Sequence, residues 1–469
     1  MTSATDTRMA LLCLALCASA AQADDAVTRA PAVVITATRV ETPAIDVPAS
    51  INRIDGSQVR DGRQQVNISE SLGGVAGLQA QDRQNYAQDV QISVRGFGAR
   101  STFGIRGVRL YVDGIPATLP DGQGQLSNVD LGSVDRMEVL RGPFSALYGN
   151  SSGGVIQVFT EDGQGPPTLT PSAAAGSDGT ARLGFKLSGA DGAFGYTASA
   201  SAFETDGYRR HSAARRRLAN IKFNWSPGAD SKLTLLANSV ALPLAQDPLG
   251  LTRAQFNGDP RGVDPVAESF DTRKAVDQTQ LGLVGEQRLG AAGHLQWLVY
   301  GGHRSTEQFQ AIPVATQANA LHPGGVIQLA RDYRGADLRW TLAGMIAEQP
   351  LSLVAGLSYD TLDEGDTAYA GIAWTPDQGW RDGIEVRASS RVLVNDANSD
   401  AAAGFAVLGA HLGYGLKMGK VEWTLFGRLD NLLAQRYAGS VIVNEGNARY
   451  FEPAQGRTWL AGATGLIRF

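Results

Sequence analysis

The sequence predicts a mainly β protein: a transmembrane antiparallel β-barrel of about 14 strands, preceded by a smaller α+β domain. From about residue 164 onward, polar residues alternate with apolar or small ones in about fourteen segments, a pattern typical of barrel strands. The connections between the segments alternate between short and mostly longer ones. After the first 23 residues no run of eighteen apolar residues occurs. Strands that cross a membrane must close into a barrel, because lipid cannot satisfy an open strand edge.

Residues 1–23 are predicted to be a secretory signal peptide. Arg8 supplies the positive start, and the apolar run Met9–Leu16 is too short to span a bilayer. A small-x-small cleavage site follows at Ala21-Gln22-Ala23. Both cysteines of the chain, Cys13 and Cys17, lie inside this segment. The mature chain is therefore expected to contain no disulfide and no cysteine nucleophile.

Residues 24–45 are predicted to be a leader that contains one short β-prone run, Ala32–Arg39, with prolines on both sides. One interpretation is an ordinary first strand. The other is a segment that pairs with the sheet edge of a partner protein, where backbone hydrogen bonds supply much of the affinity.

Residues 46–163 are predicted to form the α+β domain. Glycines at fixed places among short apolar runs permit tight turns between its elements. The predicted strands are Ser50–Ile54, Val90–Val94, Val108–Val112, Met137–Leu140 and Val155–Phe159, and the predicted helical pieces are Ile68–Leu72 and Phe144–Leu147.

Residues 164–469 are predicted to form the barrel, and the connection lengths place both of its ends on the short-turn side, as an even strand number requires. Trp225, Trp374 and Trp380 sit beside predicted short turns, where an interfacial aromatic girdle is expected. The last segment, Trp459–Phe469, alternates and ends on an aromatic residue.

Charge and motif content argue against several classes of protein. The formal net charge is −5, which does not favour a nucleic-acid partner. Gly149–Gly153 matches the G-x-S-x-G pattern of hydrolases but lacks the strand and helix context that the pattern needs. Asp396–Asp400 has alternating oxygen ligands but lacks the glycine and glutamate of a calcium loop. The sequence thus predicts no enzyme, no metal site and no cofactor.

Two stretches, Val90–Pro116 and Arg136–Phe159, carry a resemblance to a known family. They include Arg95-Gly96-Phe97-Gly98, Asp113-Gly114-Ile115-Pro116 and the run from Leu140 to Gly149. Together they resemble the plug domain of TonB-dependent outer-membrane receptors, and the whole chain is most similar to the group that includes the pyrroloquinoline quinone uptake receptor.

The resemblance implies a receptor of the cell outer membrane that imports a scarce ligand, either a ferric siderophore or a quinone-type redox cofactor such as pyrroloquinoline quinone. The implied partners are TonB, outer-membrane lipid, the small-molecule ligand (a ferric chelate is one alternative) and the barrel assembly machinery. TonB would pair with Ala32, Val33, Val34, Ile35, Thr36 and Ala37. The ligand would contact loops at the apex of the plug: Arg83, Gln84, Asn85, Tyr86, Arg100, Ser101, Thr102, Phe103, Leu119, Asp121 and Gln123.

The chain departs from the family in its length. Plugged transporters of this kind have 22 strands, which need roughly 400 residues after the plug, whereas 469 − 163 = 306 remain. The expectation is an internal loss of about eight strands near Gly365-Asp366. In the family, arginines matching Arg95 and Arg141 anchor the plug to barrel glutamates, and the lost strands would have carried those glutamates. Two alternatives therefore remain: a non-transporting surface barrel that serves phage or bacteriocin docking, and an assembly-defective receptor.

Overall fold

The structure is a computed structural model, and it describes most of the chain between residues 34 and 468. A two-residue pair precedes the first domain: β1 (Val34–Ile35) is antiparallel to β2 (Thr42–Pro43). The predicted signal peptide and the predicted helical piece 144–147 lie outside the described residues. The described residues are 34–35, 42–43, 50–81, 83–99, 101, 104–119, 122–141, 153–317, 325–346, 349–362, 372–374, 379–389, 392–394, 400–418, 421–441 and 449–468.

The N-terminal domain is an α+β unit built on a five-stranded sheet with the order β3-β8-β9-β6-β7. Pairs in this sheet are antiparallel except β6 with β9, which are parallel. A separate two-stranded pair joins β4 to β5. The elements are β3 (Ser50–Asp55), α1 (Gly56–Arg60), β4 (Leu78–Gln81), β5 (Gln91–Val94), β6 (Val108–Val112), β7 (Ile115–Pro116), β8 (Val134–Arg141) and β9 (Gly154–Thr160), with 3-10 turns at Ile68–Glu70 and Leu131–Ser133.

The core of this domain lies against the central strands β8 and β9. Met137 of β8 and Ile156 of β9 are fully buried, as are Leu72 and Ile92 on the segments that cover the sheet. Each such side chain contributes about 1.5–3 kcal/mol of burial free energy. The helix α1 begins where Gln58 accepts a hydrogen bond from the backbone of Asp55 at 3.0 Å, which satisfies one of the amides left over at a helix start.

A second and larger sheet of fourteen strands forms a wall around this domain. All of its pairs are antiparallel, and its order is β18-β17-β16-β15-β14-β13-β12-β11-β10-β27-β24-β23-β20-β19. Two short pairs, β21 with β22 and β25 with β26, lie in its connections. The strands are β10 (Thr168–Gly176), β11 (Ala181–Asp191), β12 (Phe194–Thr205), β13 (Ala214–Gly228), β14 (Ser231–Gln246), β15 (Arg273–Arg288), β16 (His294–Phe309), β17 (Val326–Ile346), β18 (Gln349–Leu362), β19 (Ile372–Trp374), β20 (Gly379–Ser389), β21 (Val392–Leu393), β22 (Ala401–Ala402), β23 (Phe405–Met418), β24 (Val421–Asp430), β25 (Ala438–Val441), β26 (Phe451–Pro453) and β27 (Thr458–Arg468).

The predicted count of about fourteen wall strands is confirmed, and so is the alternation of short and long connections. The first and last strands of the wall, β10 and β27, pair with each other, so the sheet curves back on itself there. The sheet ends at β18 on one side and β19 on the other, and among the described residues these two strands form no ladder.

Strand β13 shows why this wall suits a membrane. Asn220, Lys222 and Asn224 are buried against the enclosed domain, whereas the alternating Ile221 and Trp225 are exposed on the outer side. This arrangement, polar inside and apolar outside, is the inverse of a soluble domain and is typical of outer-membrane barrels. The outer Trp225 ring stacks on a neighbouring aromatic ring at the short-turn end, as expected for an aromatic girdle.

The long connections carry the remaining helices: α2 (Arg253–Gly258), α3 (Pro265–Ser269) and α4 (Val314–Gln317), while a 3-10 turn at Gly290–Ala292 lies in a short one. Within the described part of the chain, no helix is both long and apolar enough to cross a membrane.

Candidate functional site

The N-terminal domain is fastened to the wall at the short-turn end by an ion network. Lys222 on β13 contacts Asp113 at 3.0 Å and Asp162 at 2.8 Å, and Lys232 on β14 contacts Asp162 at 2.6 Å. Burial alone would raise the pKa of Asp162, but the two ammonium groups outweigh burial and lower this pKa to about 2. Asp162 lies two residues after the end of β9, so the network ties the end of the domain to β13 and β14.

At the opposite, long-loop end, the apex of the domain holds a buried arginine–glutamate pair. The guanidinium of Arg83 donates from Nε to Glu452 Oε2 at 2.7 Å and from Nη2 to Glu452 Oε1 at 3.0 Å. The side chains are only 7% and 2% exposed. Burial lowers the pKa of Arg83, but the Glu452 charge and hydrogen bond outweigh it, so the net pKa is above its ordinary value.

A second carboxylate, Asp247, extends this apex network. Asn85 donates to Asp247 at 2.8 Å and to Glu452 at 3.3 Å, and Gln88 also donates to Asp247. Lys274 on β15 contacts Asp89 at 3.4 Å. Because every one of these donors or acceptors is buried or half-buried, the network positions the apex loop rigidly beneath the long connections.

The long connections fold over the apex as a cap, which consists of the described parts of residues 247–272, 390–404 and 431–457. Leu251 and Phe451 exchange backbone hydrogen bonds, and both side chains are buried in one apolar cluster. Arg253 lies over the Phe451 ring at 4.6 Å and contacts Asp400 at 2.5 Å. Three separate connections are therefore joined into one unit above the domain.

A cleft lies between the apex, the wall rim and the cap. Gln84, the neighbour of Arg83, lines it from below, and Gln455 and Gly456 line it from the cap. The remaining lining includes two arginines, two carboxylates and two aromatic residues: Arg63, Arg428, Glu70, Asp430, Tyr437 and Trp459.

The structure places the predicted ligand residues at different depths. Arg83 and Asn85 are buried in the apex network, and Gln84 lines the cleft in a left-handed backbone conformation. The Tyr86 ring packs on Phe203 with the ring centroids 5.0 Å apart. The other described members of the set are Ser101, Leu119 and Gln123. Ser101 donates a hydrogen bond to the Gly104 carbonyl, and Leu119 is buried. Gln123 accepts a hydrogen bond from Arg331 at 3.3 Å.

The remaining predicted ligand residues, Arg100, Thr102, Phe103 and Asp121, lie outside the described residues. So do Ala32, Val33, Thr36 and Ala37 of the predicted partner-binding run. The two described residues of that run, Val34 and Ile35, form the short ladder with β2. Among the described residues this sheet has two strands only, so each has one edge without a ladder partner there.

The two arginines predicted to anchor the domain make no ion pair with a wall carboxylate among the described residues. Arg141 donates to Asn52 at 2.7 Å and to the Ala76 carbonyl, both within its own domain. Arg95 is exposed beside the half-exposed Phe97. Burial and the nearby Arg95 charge lower the pKa of Arg141. Anchoring by these two residues stays a prediction.

Sequence reasoning missed the wall and cap partners of the domain, namely Lys222, Asp247, Lys274 and Glu452. One available signal was the inward strand face of β13, where a lysine stands among asparagines. Glu452 offered no comparable signal, since only the folded cap brings it to the apex.

Comparison with known proteins identifies the class. Residues 43–155 match the model of the TonB-dependent Receptor Plug Domain. The match identifies the N-terminal domain as similar to the plug of TonB-dependent receptors, and the wall around it has the apolar outer face typical of outer-membrane barrels. The enclosed N-terminal domain is therefore called the plug below.

The chain is also similar in sequence to individual outer-membrane transporters. The chain is 32% identical over 188 residues to the vitamin B12 transporter BtuB of Photobacterium profundum, a match that covers 37% of this chain and 30% of the relative. It is 26% identical over 209 residues to the ferrichrome outer membrane transporter/phage receptor of Escherichia coli, covering 43% of this chain and 27% of the relative. The matches thus span about a third or less of these relatives' lengths.

Solved structures agree on the fold. The ferric citrate transporter FecA in its unliganded form has a TM-score of 0.68 at 14% identity, with 90% of this chain and 97% of that chain covered. The ferric yersiniabactin uptake receptor FyuA from Yersinia pestis has a TM-score of 0.62 at 13% identity, covering 90% and 98%. At these identities the likeness shows the shared architecture.

Proposed function

We propose that this protein imports a scarce ligand across the outer membrane and that TonB supplies the energy. The observation that carries the proposal is the position of the plug: it sits inside the wall, with its apex beside a capped cleft. In this proposal TonB adds a strand to Ala32–Ala37, of which Val34 and Ile35 already adopt strand pairing. Outer-membrane lipid surrounds the wall, and the barrel assembly machinery inserts it.

The ligand proposed is an anionic molecule, either a ferric siderophore or a quinone-type redox cofactor such as pyrroloquinoline quinone. Two arginines in the cleft lining, Arg63 and Arg428, support this class, although Arg428 also pairs with Asp430 at 2.7 Å. The contacts proposed on the plug are the predicted apex residues: Arg83, Gln84, Asn85, Tyr86, Arg100, Ser101, Thr102, Phe103, Leu119, Asp121 and Gln123.

We also propose that the wall has lost about eight strands relative to a 22-stranded receptor. Only residues 363–371 separate β18 from β19, whereas eight crossings need on the order of 80 residues. The alignment with FecA nevertheless covers 97% of that chain. The difference 22 − 14 = 8 uses the observed strand count and the usual count for plugged transporters.

A second candidate function is favoured because β18 and β19 form no ladder among the described residues of the wall. A wall that does not close would not hold a transport path, yet its external loops could still serve as a docking surface for phage or bacteriocin. A receptor that fails to assemble belongs to the same alternative.

Two measurements separate the candidates. Outer membranes are first run on a gel with and without boiling, because a closed barrel changes mobility when it is unfolded. A shift supports import, and its absence supports the alternative. Uptake and surface binding of ferrichrome, ferric citrate and pyrroloquinoline quinone are then compared between the full chain and a chain lacking residues 31–39. Import predicts that uptake of one ligand disappears while its surface binding remains, and equal uptake by both chains would overturn the proposal.

A further inference from the structure

The buried pair at the plug apex joins two parts of the protein that are far apart in sequence. Arg83 belongs to the plug and Glu452 to β26 of the cap, 369 residues later. Both oxygens of the carboxylate are engaged by the guanidinium, in the side-on geometry that recognises planar carboxylates. The pair is thus a direct mechanical connection between the cap and the plug.

Arg83 needs an anion at this position. A guanidinium stays charged in proteins, and a buried charge without a partner is strongly destabilising. Asn85 supplies a further donor to the same carboxylate at 3.3 Å. These donors together form a site for one carboxylate group, which the protein's own glutamate fills in this structure.

The site borders the cleft on both sides. Gln84, next to Arg83, and Gln455, three residues after Glu452, both line the cleft. The pair therefore lies next to cleft-lining residues on both the plug and the cap.

We propose that Glu452 is an internal stand-in for a ligand carboxylate and that it latches the cap onto the plug in the absence of ligand. A small molecule that carries carboxylates takes the place of Glu452 on Arg83 and releases the cap. This inference rests on the proposed function, because it names the chemistry of the ligand and the step that follows its binding.

The latch is tested through a thiol buried inside the cap, in full-length protein in isolated outer membranes. Ala402 is 4% exposed and packs in the apolar cluster that contains Phe451, the neighbour of Glu452, and the mature chain is predicted to have no cysteine of its own. Ala402→Cys is labelled with a maleimide. The latch predicts that Glu452→Gln raises the labelling rate at least tenfold. The matched control, Asp271→Asn, removes a carboxylate from an exposed ion pair with Arg273 and is expected to leave the rate unchanged.

Exchange is tested with citrate, a small tricarboxylate, against its trimethyl ester. Citrate is expected to accelerate labelling in the Ala402→Cys protein, and the ester is not. Should Glu452→Gln destabilise folding, the charge swap Arg83→Glu with Glu452→Arg is expected to restore slow labelling. Equal rates in the Glu452→Gln and Asp271→Asn proteins would overturn the latch, and equal effects of citrate and its ester would overturn the exchange. Neither readout requires TonB or uptake, so failure of import is distinguishable from failure of the latch.

Discussion

The plug has two faces that meet the wall in different ways. Toward the wall strands that follow the plug directly, its carboxylates are paired: Asp113 and Asp162 contact Lys222, and Glu161 contacts Lys186 on β11. On another face, Arg95 is exposed and Arg141 bonds within the plug. The comparison teaches that the described polar contacts between plug and wall run from β11 to β18. A wall that ends at β18 can therefore still hold its plug in place.

The largest effect is expected from Lys222→Met on the paired face. The substitution keeps the shape of the side chain but leaves the buried Asp113 without its cation, which costs about 3–5 kcal/mol. The plug should become cleavable by trypsin. The guanidinium chloride concentration at which half of the protein is unfolded should fall. Lys232→Met is the matched control, since Lys232 is partly exposed and Asp162 keeps Lys222; its cost should be at most about 1 kcal/mol. Equal losses in both variants would contradict this assignment.

A smaller loss of folding stability is expected when acid protonates Asp162. The folded pKa of Asp162 is about 2, below its ordinary value of 3.8, so its stabilisation is present above pH 3.8 and is lost as pH falls through about 2. The shift of 1.8 (3.8 − 2) corresponds to about 2.4 kcal/mol, which partial solvent exposure reduces to about 1–2 kcal/mol.

The check is the midpoint of unfolding in guanidinium chloride, measured at about pH 5 and at about pH 2. Asp162→Asn should reduce the difference between the two midpoints. Asp191→Asn, at an exposed turn of the wall, should leave the difference as it is. A difference that persists in Asp162→Asn would assign the acid effect to other carboxylates.

The smallest effects are expected on the other face. Arg95→Ala should change the unfolding free energy by at most about 0.5 kcal/mol, because an exposed side chain without a buried partner contributes little. Arg141→Ala should cost about 1 kcal/mol through its bond to Asn52. Measured by the same denaturation, a loss above about 2 kcal/mol in Arg95→Ala would reveal a barrel anchor.

Much of the fold could be predicted because its signals are local. Strand β6 was predicted with both of its ends correct, and the wall strands were predicted from an alternation of period two. The strand β4 and the helix α1 were missed, since Leu78–Gln81 and Gly56–Arg60 are too short to show a period.

The site was less accessible to such reasoning. Arg83, Gln84 and Asn85 were predicted at the apex because their motif resembles a plug, and the structure places all three there. Their partners Asp247 and Glu452 were not predicted. These two carboxylates come from separate connections, and only the folded cap brings them within hydrogen-bonding distance.

The sequence by itself determined the two-part architecture, the number of wall strands and the identity of the plug, because alternation, turn chemistry and motif spacing are properties of neighbouring residues. The tertiary structure decided which charged residues of the plug and the wall meet, and that Glu452 pairs with Arg83. It also decided that β18 and β19 form no ladder among the described residues. These outcomes depend on distances between residues up to hundreds of positions apart, which the curvature of the whole wall sets.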